Sequence, residues 1–193
     1  MIENKRYGSI KVVLRDIRGK IMLDRRIYSN RLLIKDIEKE DFPFINDMYK
    51  DMDFYFYAIG HNTNLCEKYF KQLIKGDNRL NFFCIAKLLS DSRSVGCIEG
   101  SVHLGSKKIL WINSIMIHKE FCRHKYGTEL VMATIDYFKS QYQIEYVCVS
   151  VAEKNDAGKK FWAKLGFSTI KTISRYDTQQ IMYGNIHVYC KSA

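Results

Sequence analysis

Arg123, His124 and Lys125, three cationic or potentially cationic side chains, stand directly before Tyr126-Gly127-Thr128. Their types and spacing describe a phosphate seat. A helix N-terminus presents unpaired backbone N–H groups and a partial positive charge, and Gly127 lets an anion come close to that backbone. Three elements must hold the seat in place. Ile109–Ile117 reads as a buried strand, apolar apart from Asn113 and Ser114. His118–Lys125 is a short basic turn. A helix from Tyr126 to about Ser140 follows, with Val131, Ile135 and Phe138 at i, i+4 and i+7 on one apolar face.

A second constellation follows the first at close range. Val147-Cys148-Val149-Ser150-Val151 reads as a strand, then come Asn155, Phe161-Trp162 on a helix, and Gly166-Phe167. Together the two constellations resemble the GCN5-related N-acetyltransferases. That family carries Q/R-x-x-G-x-G/A between a central strand and its helix, and later a strand followed by Asn, a helix and Gly-Phe. The matching window is Cys122-Arg123-His124-Lys125-Tyr126-Gly127, with Cys122 where Gln or Arg is usual and Lys125 where the first Gly is usual. The resemblance runs from about Arg31 to the C-terminus and is best between Ile109 and Phe167.

The resemblance implies an α/β (α+β) fold. A mixed, mostly antiparallel sheet would be splayed at a cofactor cleft and flanked by about four helices. It implies acetyl-CoA as cofactor and direct acetyl transfer to a primary amine of a small molecule or peptide. By position, Ile115, Met116 and Ile117 would offer backbone groups to the pantetheine arm, and Arg123, His124, Lys125, Tyr126, Gly127 and Thr128 would hold the pyrophosphate. Asn155, whose reading from local sequence alone is a helix cap, would contact the cofactor arm, with Phe161 along the same channel. Tyr55, Tyr57 and His61 are the acceptor-side candidates. The same aromatics would also serve simply to cover the core.

Two catalytic groups common among such relatives are missing. Trp162 stands where many carry a Tyr that protonates the leaving thiolate, and no carboxylate lies near Trp111, where some place a Glu. Glu99, an acid inside an apolar strand, is the remaining base candidate. Burial of an unpartnered acid is costly, so Glu99 faces either a polar cleft or solvent. The missing groups support an alternative, an acyl-CoA-binding module with little or no catalysis. Cations beside Cys122 would make its thiol more acidic.

The remaining sequence sets the frame. The chain has 193 residues, 47% of them hydrophobic and 13% aromatic, which suits one domain with a sizeable core. Residues 31–193 are expected to form that domain, preceded by a basic extension, residues 1–30, read either as a β-hairpin of Ser9–Arg15 and Ile21–Tyr28 or as a mobile basic arm. Between Met1 and Lys35 there are ten Lys/Arg and three acids, so much of the +10 net charge gathers there. A basic surface attracts anions non-specifically, but no nucleic-acid-binding motif accompanies it. The six cysteines have no metal-binding spacing, so no metal is expected. No apolar run reaches membrane-spanning length, so the expected location is cytoplasmic without a membrane partner, and a homodimer is left open.

Further strands are expected at Arg31–Ile37, Asn81–Leu89, Val95–Leu104, Ile144–Val151, Phe167–Ser174 and about Ile181–Cys190. Asp41 is expected to cap a first helix, Asp53–Gly60 to be an aromatic-rich loop, and Asn64 to Lys75 a second helix. The last helix is expected over Asp156–Leu165.

Overall fold

The computed structural model describes residues 13–15, 21–23, 25–59, 79–174 and 184–193. Among them are ten strands. β1 (Val13–Arg15) and β2 (Ile21–Leu23) pair antiparallel. The other eight are β3 (Arg26–Tyr28), β4 (Leu32–Asp36), β5 (Arg79–Leu88), β6 (Ser94–Leu104), β7 (Lys108–Ile117), β8 (Tyr146–Ala152), β9 (Ser168–Ile173) and β10 (Ile186–Ser192). They form one sheet in the order β3-β4-β5-β6-β7-β8-β10-β9, in which only β7 and β8 run parallel. The α-helices described are α1 (Phe42–Lys50), α2 (Met52–Ile59), α3 (Tyr126–Tyr142) and α4 (Asp156–Lys164). The mixed, mostly antiparallel sheet and its flanking helices match the expected fold class. No helix among the described residues is long and apolar enough to cross a membrane.

The central strands β5, β6 and β7 bury side chains on both faces. Phe82, Ile98, Leu110 and Ile112 pack with Leu130, Val131, Ile135 and Phe138 of α3 and Trp162 of α4. Their strand neighbours Phe83, Cys97 and Met116 pack with Ile45 and Met48 of α1 and Tyr55 of α2. A one-residue step therefore moves a side chain from one helical layer to the other.

Two segments differ from the expectation. Asp53–Gly60 is not a loop over its described length: Met52–Ile59 is helical. Asp51 starts it, accepting from Phe54 N–H at 3.4 Å through its side chain and from Tyr55 N–H at 3.1 Å through its carbonyl. Aromatic residues are indifferent helix formers, and packing of Tyr55 decides the matter. Asp41 does precede α1, but its carboxylate makes no bond to the helix. It accepts from Glu38 N–H (3.0 Å) and pairs with Lys87 (2.7 Å) and Lys35 (3.3 Å), tying α1 to the sheet. Burial would raise this carboxyl, but those partners hold it below the usual range. The expected helix Asn64–Lys75 lies outside the described residues.

One irregularity shapes the sheet centre. Glu99 pairs with Ser114 and Gly100 with Ile112, so Asn113 is an extra residue in β7, a β-bulge. Gly100 permits it, because a β-carbon there would collide with the Trp111 carbonyl and the Phe82 ring. Gly100→Ala is expected to destabilise the fold by about 1–3 kcal/mol in urea unfolding. Gly105→Ala, whose added carbon would meet nothing closer than the Lys107 carbonyl at 4.0 Å, should stay within about 0.5 kcal/mol of the parent.

Candidate functional site

The site begins where the two parallel strands part. β7 and β8 pair from Ile109–Tyr146 to Ile112–Val149 and no further. Beyond that point β7 stays paired with β6 as far as Ile117–Gly96, and β8 stays paired with β10 as far as Ala152–Ile186. Both strands are thus held from outside and open toward each other.

Ladder parity says which backbone groups face the opening. His118 N–H donates to the Val95 carbonyl at 2.9 Å, so His118 points to β6, and Met116, two residues earlier, points the same way. Ile115 and Ile117 turn toward the gap. Of the three backbone candidates, Ile115 and Ile117 are therefore oriented to meet a ligand strand, and Met116 is engaged with β6. The Ile117 carbonyl already accepts the Tyr55 hydroxyl at 3.2 Å.

The gap runs into the helix end. Lys125 occupies the N-cap position of α3, makes no side-chain capping bond and has φ 65°, ψ 10°. The first turn, Tyr126, Gly127 and Thr128, therefore offers its N–H groups outward. Arg123 also has φ 65°, while His124 between them does not adopt positive φ. Left-handed backbone at Lys125, where the resemblance expects Gly, costs about 1–2 kcal/mol for a non-glycine residue. The alternation bends the turn into a concave run of amides suited to an anion. Arg123, His124 and Lys125 are all exposed around it. An ideal β-carbon on Gly127 would lie 3.4 Å from Ile117 Cγ1 and 3.6 Å from Phe161 Cε2. Strand, helix end and α4 converge at that glycine.

The turn is braced by a residue the sequence did not single out for a site. Arg31, between β3 and β4, donates to the Glu129 carboxylate through its backbone N–H (2.8 Å) and Nε (2.7 Å), and Ser29 Oγ adds a third donor at 2.8 Å. Its guanidinium also donates to the His124 carbonyl (3.2 Å) and lies 4.3 Å from the Tyr126 ring centroid. Burial would raise the Glu129 carboxyl, but hydrogen bonds from Ser29 and Arg31 hold it below its ordinary range. Nearly a hundred residues separate Arg31 from Glu129, so no local pattern joins them. The one visible signal was an acid in the first helical turn.

Asn155 caps α4, accepting from Gly158 N–H at 2.8 Å through Oδ1, so its Nδ2 is the group left to reach a ligand. Trp162 is 6% exposed and packs edge-on to Phe161 and Phe167. It belongs to the core and has no hydroxyl to offer. Cys122 corrects the expectation of an acidic thiol: burial pushes it up more than Arg123 lowers it.

On the opposite face, Glu99 is half-buried on the same side of β6 as Cys97, across from Ser114. Burial pushes the Cys97 thiol and the Tyr49 phenol up, and the charge of Glu99 adds to both. Glu99 thus sits under α1, beside the bulge and the start of the gap. Ser114 Oγ donates to the Ala58 carbonyl of α2 at 3.0 Å. Tyr55 is 5% exposed, and burial, with Cys122 nearby, pushes its phenol up to about 12. It ties α2 to β7 and keeps its hydroxyl out of solvent. Tyr57 is 41% exposed on α2. His61 lies outside the described residues.

The family model described as "Acetyltransferase (GNAT) family" matches residues 34–167. No curated protein matches the chain in sequence. Solved structures do match in fold. An acetyltransferase (GNAT family) from Bacillus anthracis superposes with TM-score 0.69 at 17% identity, over 87% of this chain and 98% of that one. Spermidine N-acetyltransferase from Vibrio cholerae, solved with CoA and spermine, gives 0.68 at 13%, over 85% and 96%. Naa50 of Arabidopsis thaliana, solved with the bisubstrate analogue CoA-Ac-MVNAL, gives 0.61 at 16%, over 84% and 99%.

Proposed function

This chain belongs to the acetyltransferase (GNAT) family, and from that premise we propose that it is an acetyl-CoA-dependent N-acetyltransferase that acetylates a primary amine of a small molecule or peptide in a ternary complex. One observation carries the reading: the gap between β7 and β8 leads directly to an uncapped, cation-ringed helix end at Gly127. The residues fit the cofactor. The amides of Tyr126, Gly127 and Thr128, with Arg123, His124 and Lys125, would take the pyrophosphate. Ile115 and Ile117 would pair with pantetheine, with Asn155 Nδ2 and Phe161 along it. Bound acetyl-CoA supplies an activated acetyl thioester.

The chain's own work is on the acceptor side. A lysine-like amine of pKa about 10.4 is neutral only about one part in a thousand near pH 7.4, and presenting it neutral costs about 4 kcal/mol. In this reading Glu99 takes that proton, directly or through water held by Ser114 and Asn113. Tyr57 borders the approach, and Tyr55 positions α2 against Ile117. Holding amine and acetyl group together contributes as much as the base. Among the described residues no three or more His, Cys, Asp or Glu gather into a metal-like cluster.

A second reading, an acyl-CoA-binding module without turnover, is favoured by Trp162, which fills the core where relatives place a proton-donating Tyr. Thiol release from acetyl-CoA over a panel of amino acids, polyamines, aminoglycosides and peptides separates the two. Turnover with an N-acetylated product by mass supports the enzyme. Saturable binding without turnover on any acceptor supports the module.

Arg31 gives a third check. Arg31→Ala should weaken acetyl-CoA binding about 10-fold by loosening the turn, raising KM with little change in kcat. Arg31→Lys should restore only part of it, because lysine cannot bond Glu129 and His124 in one plane. An unchanged KM in Arg31→Ala would mean the turn holds itself.

A further inference from the structure

Cys148 on β8 and Cys190 on β10 are direct partners in the antiparallel pairing, and as free thiols their sulfurs lie 2.9 Å apart. Both ends of the ladder fix their kind of position. Glu153 N–H donates to the Asn185 carbonyl at 2.8 Å, and Ala193 N–H donates to the Glu145 carbonyl at 2.9 Å. Odd-numbered residues of β8 therefore exchange hydrogen bonds with β10, and Cys148 occupies a non-hydrogen-bonded position. Opposed Cα atoms are about 4.5 Å apart there, inside the span of about 4.4–6.8 Å that disulfides accept. Forming the bond needs the sulfurs to close by roughly 0.9 Å. In the sheet, Cys148 stands beside Trp111, one step before the last β7–β8 pair. Cys148 is buried and Cys190 partly accessible.

We propose that Cys148 and Cys190 form a redox-modifiable dithiol, which a peroxide converts to a cross-strand disulfide at the root of the cleft. The more accessible Cys190 thiolate attacks the peroxide, the O–O bond breaks, and Cys190 becomes a sulfenic acid with release of water. Cys148 sulfur then attacks the Cys190 sulfur, the S–O bond breaks, and a second water leaves with the Cys148 proton. Two thiols and one hydrogen peroxide give one disulfide and two waters. Burial, with Cys190 alongside, pushes the Cys148 thiol up to about 12, so Cys148 is the resolving thiol and not the first to react. The bond would clamp β8 to β10 just before β8 leaves β7. None of this depends on the acetyl-transfer reading.

The test treats the full chain with a small excess of hydrogen peroxide, unfolds it in iodoacetamide and maps the peptides by mass. The expected product has lost two hydrogens, contains a peptide joining Cys148 to Cys190, and returns to two alkylated cysteines after dithiothreitol. Cys190→Ser should abolish the joined peptide and leave Cys148 alkylated. Recovery of Cys148 as a free thiol beside an over-oxidised Cys190 would overturn the proposal, as would a disulfide from Cys148 to any other cysteine.

Discussion

Gly127→Leu is expected to weaken acetyl-CoA binding at least 100-fold while the protein stays folded. The first-turn amides of α3 carry no side-chain cap, so a bound phosphate would be their partner. Two such hydrogen bonds to a charged group are worth about 3–6 kcal/mol together, and their loss accounts for the expected factor. A β-carbon at Gly127 has room, at ordinary contact distance from Ile117 and Phe161. The rest of a leucine side chain would add bulk beside Ile117 and Phe161, where the proposed phosphate site meets the strand gap. Helix propensity favours leucine over glycine by up to about 1 kcal/mol, so thermal stability should hold or rise. Calorimetry and a melting curve on one sample check both halves. A variant that binds like the parent would remove the phosphate seat from residues 123–128.

Glu99→Gln is expected to lower kcat by about 10²–10⁴-fold, with the KM for acetyl-CoA nearly unchanged, since Glu99 lies across β6 from the phosphate turn. The pH profile is the sharper readout. Without a base, the variant depends on amine already neutral in solution, so its rate should keep climbing toward an amine pKa of about 10. A loss within threefold, with the parent's pH profile, would place Glu99 among the solvated acids of the α1 face.

Much of this site was legible because its signals are local. Gly127 before an amphipathic helix and the apolar run of β7 are readable within a few residues, Phe161 and Asn155 were named by the family resemblance, and the fold brings Gly127, Ile117 and Phe161 together. Phe82 and Phe83 pack into opposite helical layers, a separation that the contiguous apolar run of β5 does not announce. Other features carry no local mark. Left-handed backbone at Arg123 and Lys125 has no glycine to announce it, and is held by Arg31, which meets the turn only after folding. The bulge at Asn113 is a matter of register with β6 and appears only when Glu99 and Gly100 find their partners. Asp53–Ile59 looked like a loop because its aromatics show little helical periodicity, yet Tyr55 reaching Ile117 fixes it as a helix. Asn155 had both roles written at one position: its cap is observed, and its reach toward a cofactor rests on Nδ2.

The most direct measurement is a calorimetric titration of the parent protein with acetyl-CoA, repeated at raised salt. Binding is expected to be saturable and one-to-one, and to weaken as salt screens the exposed cations around the helix end. No measurable heat or binding at either salt concentration would contradict this expectation, and would mean that the Lys125 turn, with no glycine at its left-handed position, does not accept the phosphates.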